Sequence, residues 1–112
     1  MSQTVRLLVF PTKDLDAAKG LFSATLGTEP YADTPYYVGF RVGDQEIGLD
    51  PHGHAKADGP IPYWEVDDIN EGVQRLTAAG ADVKQEPKDV GGGRVVALLK
   101  DGSGNVIGLM QA

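Results

Sequence analysis

The tripeptide Ile-Gly-Leu occurs twice in this chain, at residues 47–49 and again at 107–109. A single three-residue match carries little weight, but this one falls at the same place in two similar orders of elements. Asp14-Leu15 returns as Asp68-Ile69 and Phe22 as Leu76, both 54 positions later, whereas Ile-Gly-Leu returns after 60. The second half therefore holds about six extra residues in its loops. A chain built twice from pieces this small is tightly constrained, because neither piece can bury a helix and a sheet alone and the two must pair.

Each half reads the same way. Val5-Arg6-Leu7-Leu8-Val9-Phe10 is a strand buried on both faces, ended by Pro11. Asp14 or Thr12 caps a helix on which Leu15, Ala18, Phe22 and Leu26 recur at helical spacing, and Gly27 stands where a left-handed C-terminal residue belongs. A short extended piece is expected around Thr28–Tyr31, then a turn through Ala32-Asp33-Thr34-Pro35. Tyr36–Val42 alternates with period two, and Gly43-Asp44 turns it into Gln45–Asp50.

Residues 51–60 are rich in breakers and read as a linker or exposed loop. The pattern then restarts with the strand Ile61–Val66, a helix capped by Asp67 or Asp68 and closed by Gly80, and a short strand Asp82–Glu86 ended by Pro87. After the turn Gly91-Gly92-Gly93 come two last strands, Arg94–Lys100 and Val106–Met110, joined by Asp101-Gly-Ser-Gly-Asn. The expected architecture is α+β: two paired β-α-β-β-β modules, about 4–50 and about 61–112, in one domain spanning 1–112.

Bulk properties exclude several function classes. With 10 basic and 16 acidic residues the net charge is −6, and no Lys/Arg cluster offers a face to phosphates, so no nucleic-acid partner is expected. The absence of cysteine removes disulfides, thiolate ligands and a cysteine nucleophile together. Apolar runs such as Leu7–Phe10 are too short to cross a bilayer, and no leader is expected where Met1-Ser2-Gln3-Thr4 leads straight into a strand-like segment. A cytoplasmic protein with no membrane partner is expected.

Several residues also carry a resemblance. Lys13-Asp14-Leu15-Asp16-Ala17-Ala18 with Phe22 and Leu26-Gly27 resembles the first half of the glyoxalase/bleomycin resistance/dioxygenase group, the vicinal oxygen chelate superfamily. Trp64-Glu65-Val66-Asp67-Asp68-Ile69 and the Asp101–Asn105 turn resemble its second half. The resemblance implies curved mixed sheets forming a cleft, commonly completed in a homodimer. It also implies four equivalent strand positions where enzymes of the group hold a divalent metal through His, Gln or Glu. Here those positions fall on Leu7, Gly48, Ile61 and Gly108, none of which offers an oxygen or imidazole donor. No metal and no cofactor are therefore expected.

Under the strand alternation that the resemblance implies, Leu8, Phe10, Val38, Phe40, Val42, Ile47, Leu49, Trp64, Val66, Ile107 and Leu109 are core. The expected ligand-binding cleft comprises Leu7, Val9, Tyr37, Arg41, Glu46, Gly48, Ile61, Tyr63, Glu65, Arg94, Gly108 and Met110, with Asp50, Val96, Leu98 and Val106 beside them. This mixture of apolar wall, tyrosine and a few charges suits a small organic ligand. The preferred reading is metal-independent binding that sequesters a drug or metabolite, as the resistance proteins of the group do.

The alternative is a lyase, isomerase or dioxygenase, either with metal ligands from His52, His54 or Glu46 or with metal-free acid–base chemistry at Glu65. A plain structural or interaction module is the third class. His52-Gly53-His54 has two imidazoles but sits in loop-like sequence. Arg41 and Arg94 lie at similar places in the halves, where they either clamp an anion or pair with Glu46 or Glu65 across strands. Gly91-Gly92-Gly93 lacks the Lys-Ser/Thr and helix of a phosphate loop and reads as a turn.

Overall fold

A computed structural model describes residues 4–112; the expectation of no leader rests mainly on Met1-Ser2-Gln3, which lie outside the described residues. The fold is mixed α+β, with eight strands and two helices in the order β-α-β-β-β, β-α-β-β-β. Contacts divide the chain into two compact units, one of Arg6–Ile61 and one centred on Pro62–Ala112. The boundary falls where the sequence pattern restarts.

The first unit holds β1 (Val5–Pro11), α1 (Leu15–Leu26), β2 (Ala32–Thr34), β3 (Tyr37–Val42) and β4 (Gln45–Asp50). Its strands run in the order β2-β3-β4-β1, with β1 parallel to β4 and the other pairs antiparallel. Asp14 caps α1 by accepting from the Ala17 N–H, and Gly27 closes it at φ 68°, a left-handed angle that favours glycine. Leu15, Ala18, Phe22 and Leu26 lie on one side of α1 and pack against Leu8, Phe10, Val38, Phe40, Ile47 and Leu49. The Phe22 ring sits 5.0 Å from Phe10 and 6.5 Å from Phe40.

The second unit holds β5 (Ile61–Glu65), α2 (Ile69–Ala78), β6 (Asp82–Asp89), β7 (Val95–Lys100) and β8 (Val106–Gln111), with strand order β5-β8-β7-β6. Asp68 caps α2 through the Asn70 and Glu71 N–H groups. The Ile69 N–H donates to Gln111 Oε1 at 2.7 Å, so the end of β8 reaches back to finish the same cap. Ile69, Val73 and Leu76 pack on Trp64, Val66, Ala97, Leu99 and Leu109. Burying leucines as completely as Leu99 and Leu109 contributes about 1.5–3 kcal/mol each.

Three expectations fail for local reasons. The extended piece expected at Thr28–Tyr31 is instead β2, at Ala32–Thr34. The Thr34 hydroxyl accepts from the Tyr36 and Tyr37 N–H groups and donates to the Tyr37 carbonyl, which moves the turn on to Pro35-Tyr36. β6 does not stop at Pro87 but runs to Asp89, because an edge strand with register shifts tolerates a residue that cannot donate. Val42, expected in the core, is 45% exposed at the end of its hairpin.

Candidate functional site

Strand alternation gives each sheet a face covered by its helix and a face turned away from it. Since Leu8, Phe10, Val38, Phe40, Ile47 and Leu49 meet α1, the residues between them point the other way. Leu7, Val9, Tyr37, Gly39, Arg41, Glu46 and Gly48 therefore share the helix-free face of the first unit. In the second unit Tyr63, Glu65, Val96, Leu98, Gly108 and Met110 share the corresponding face, and Ile61 opens β5 in the same alternation. Arg94 stands just before β7, where its N–H donates to the Gly91 carbonyl.

The glycines of these faces are not gaps. A Cβ built on Gly48 would lie 2.1 Å from the Tyr37 hydroxyl oxygen, and one on Gly108 would lie 2.3 Å from Tyr63 Cδ2. On Gly39 it would come within 2.9 Å of the Tyr31 ring. Each glycine is the seat of a tyrosine from its own unit. Tyr63 reaches Gly108 from the directly paired position of β5, while Tyr37 reaches Gly48 diagonally from β3, since the partner of Gly48 on that strand is Gly39.

Much of either face is buried: Leu7, Val9 and Glu46 in the first unit, Tyr63, Val96, Leu98 and Met110 in the second, and Ile61 where the two units join in sequence. The accessible part of the first face is Tyr31, Tyr37 and Arg41 with half-buried Asp50 at the strand end, and in the second unit Glu65 is half-buried. Glu46 is 0% exposed. Its Oε2 pairs with Arg6 Nη1 at 3.1 Å and its Oε1 accepts from the Tyr31 hydroxyl, so the charge is compensated on both oxygens. Arg6 also donates to the Asp44 carbonyl. The Arg41 guanidinium lies 4.2 Å over the centre of the Tyr31 ring.

Sequence reasoning missed Tyr31 and Arg6. The signal available for Tyr31 was the glycine at 39: three glycines on helix-free faces call for three fillers, and only two tyrosines stood in obvious strand positions.

Leu7, Gly48, Ile61 and Gly108 do not fit a divalent ion, since two are alkyl side chains and two bear none. The space where a longer side chain at 48 or 108 would grow already holds a tyrosine. His52 and His54 are exposed on a short 3-10 turn, Gly53–Ala55, with the His52 N–H held by Asp50 Oδ1 at 2.9 Å. Among the described residues no three His, Asp or Glu side chains converge as a metal site. A groove of about 670 Å³, lined by Lys13, Asp14, Asp16, Asp33 and Thr34, opens on the α1 side of the first unit and contains none of the expected cleft residues.

Comparison with known proteins agrees with the fold. The model of the Glyoxalase/Bleomycin resistance protein/Dioxygenase superfamily matches residues 4–109. A superfamily member from Vibrio splendidus 12B01 superposes with TM-score 0.72 at 17% identity, covering 96% of this chain and 98% of that one. Methylmalonyl-CoA epimerase from Mycobacterium tuberculosis superposes with TM-score 0.76 at 15% identity, covering 99% and 91%. A variant of the Streptomyces coelicolor epimerase, in complex with 2-nitronate-propionyl-CoA, gives TM-score 0.73 at 16% identity, covering 97% and 94%. At such identities the likeness is one of fold. No curated protein was found that matches this sequence.

Proposed function

We propose that this chain, which belongs to the Glyoxalase/Bleomycin resistance protein/Dioxygenase superfamily, binds a small organic molecule without a metal and sequesters it rather than transforming it. The observation that carries this reading is that tyrosines fill two of the four positions at which the family resemblance would place metal donors. Two of the four positions are glycines filled by Tyr37 and Tyr63, and the other two are Leu7 and Ile61. What remains accessible on the first face is aromatic and cationic, with half-buried Asp50 at the strand end already paired to Lys56, a surface that packs against a planar ligand and orients it by a few polar contacts. The CoA ligand of the S. coelicolor epimerase illustrates that proteins of this fold take organic ligands. A homodimer belongs to the same proposal, and light scattering on the eluting protein tests it.

The test of binding is a thermal-shift screen of planar aromatic compounds in the presence of excess EDTA. A saturating ligand raises the melting temperature by mass action. The reading expects a concentration-dependent rise that the chelator leaves unchanged. A rise that appears only when zinc, nickel or manganese is restored overturns it.

One observation favours a second reading, metal-free acid–base chemistry. Glu65 is half-buried on the helix-free face of its unit and forms no ion pair among the described residues, as a carboxylate reserved for proton transfer would. Solvent exchange at an acidic C–H of a bound compound, abolished by Glu65→Gln, would establish it.

A further inference from the structure

We propose that Arg41, held over the Tyr31 ring, is the anion-binding point of the ligand site, so that the molecule bound is a planar aromatic carboxylate. The proposal rests on the small-molecule reading and names its ligand class.

Arg41 and Glu46 are direct partners across β3 and β4, where opposite charges ordinarily pair. Here they do not. Glu46 gives one oxygen to Arg6 and the other to Tyr31, and Arg41 is left with the Tyr31 ring as its contact. Among the described residues it is bonded to no carboxylate, whereas Arg6, Lys19, Lys56 and Arg75 each are. In a chain with 16 acidic residues and a net charge of −6, an arginine left without one while facing a carboxylate is the exception to explain.

Its geometry suits an anion. The Tyr31 ring takes up none of the guanidinium's N–H donors as hydrogen bonds to a carboxylate, and the planar fork of a guanidinium suits a carboxylate through two hydrogen bonds. The support beneath is fixed at three points. The Tyr31 ring rests on Gly39, its hydroxyl donates to buried Glu46, and its backbone N–H donates to the Gly39 carbonyl at 2.9 Å. An exposed arginine normally loses rotamer freedom when it captures an anion; here part of that loss is already incurred in the free protein. Tyr37, seated on Gly48 opposite Gly39, supplies aromatic surface beside the stack.

The experiment uses three probes with one ring system and different charge: 2-naphthoate, 2-naphthamide and 2-naphthylmethylamine, titrated calorimetrically into the wild type, Arg41→Gln and Arg41→Lys. The proposal expects naphthoate to bind roughly tenfold or more tighter than the amide, as one charge-assisted contact allows. Arg41→Gln should bring naphthoate to the level of the amide and leave the amide unchanged. Arg41→Lys should keep part of the preference. Equal binding of acid and amide by the wild type, or tighter binding of the amine, overturns the anion point and leaves the small-molecule reading standing. Binding of none of the three overturns the inference, and the screen above then decides separately on the broader reading.

Discussion

The two units share a plan and differ in how they finish the face away from the helix. In the second unit the filler comes from the paired strand: the body of the Tyr63 ring lies on Gly108, among residues such as Val96, Leu98 and Met110 that are buried and apolar. In the first unit the fillers arrive by their tips or from a neighbouring segment, and they bring polar groups along. Tyr37 touches Gly48 with its hydroxyl, Tyr31 covers Gly39, and a buried carboxylate lies beneath with two arginines around it. One copy of the duplicated motif has become core. The other keeps an ordered, charged and partly accessible surface, which is where the proposed ligand would bind.

The helices diverge as well. α2 buries Ile69 and Gly72, whereas α1 has no buried residue and leaves Leu21 65% exposed.

The largest test of this contrast removes a carboxylate from each face. Glu46→Ala should destabilise the protein by about 3 kcal/mol, the low end for breaking a buried pair because Arg6 keeps some access to water. Glu65→Ala should change stability by less than about 1 kcal/mol, since Glu65 is half-buried and its loss breaks no ion pair among the described residues. Urea denaturation reads both, and similar losses for the two would break the comparison.

Next come the glycines. Gly108→Ala should cost about 2 kcal/mol, because the new Cβ meets the root of a ring that cannot swing aside. Gly48→Ala should cost about 1 kcal/mol, because it meets the tip of Tyr37, and Tyr37→Phe should reduce that cost. A double-mutant cycle on each pair measures the coupling. Leu21→Gln on α1 should stay within about 0.5 kcal/mol, where a buried α2 position such as Ile69→Ala should lose about 3 kcal/mol.

The smallest effect concerns the turns that join the last two strands of each unit. The first unit uses Gly43-Asp44, with Gly43 at φ 59°. The second uses the longer Asp101–Asn105, which accounts for part of the extra length of that half. Asp101 is held below the usual carboxyl value of 3.8, first by the hydrogen bond from the Asn105 side chain and then by backbone N–H groups of the turn. A depressed folded-state value means that the stabilisation is present above the unfolded value and lost as pH falls through the folded one. Asp101→Ala should therefore flatten the acid limb of the stability curve slightly and leave the first unit's turn unaffected.

Most of the fold was legible because its signals are local. Helical periodicity, a cap at Asp67 or Asp68 (Asp68 in the structure), Gly27 as a left-handed terminus and the repeated Ile-Gly-Leu all act over a few residues. β2 was misplaced because a threonine hydroxyl, not composition, sets that turn. The faces were assigned by alternation, yet which cation meets which carboxylate was not readable. Arg41 stands directly opposite Glu46, but Glu46 is taken by Arg6, 40 positions away in sequence, and by Tyr31. Such a choice depends on how side chains reach across strands, which no spacing rule encodes.

The most direct test of the central claim, that tyrosine has replaced metal chemistry on these faces, is calorimetric titration of the chelator-treated protein with zinc, nickel, manganese and ferrous iron. The account predicts no stoichiometric, tight uptake of any of the four. One equivalent bound tightly and lost on substitution of a residue of either helix-free face would contradict it.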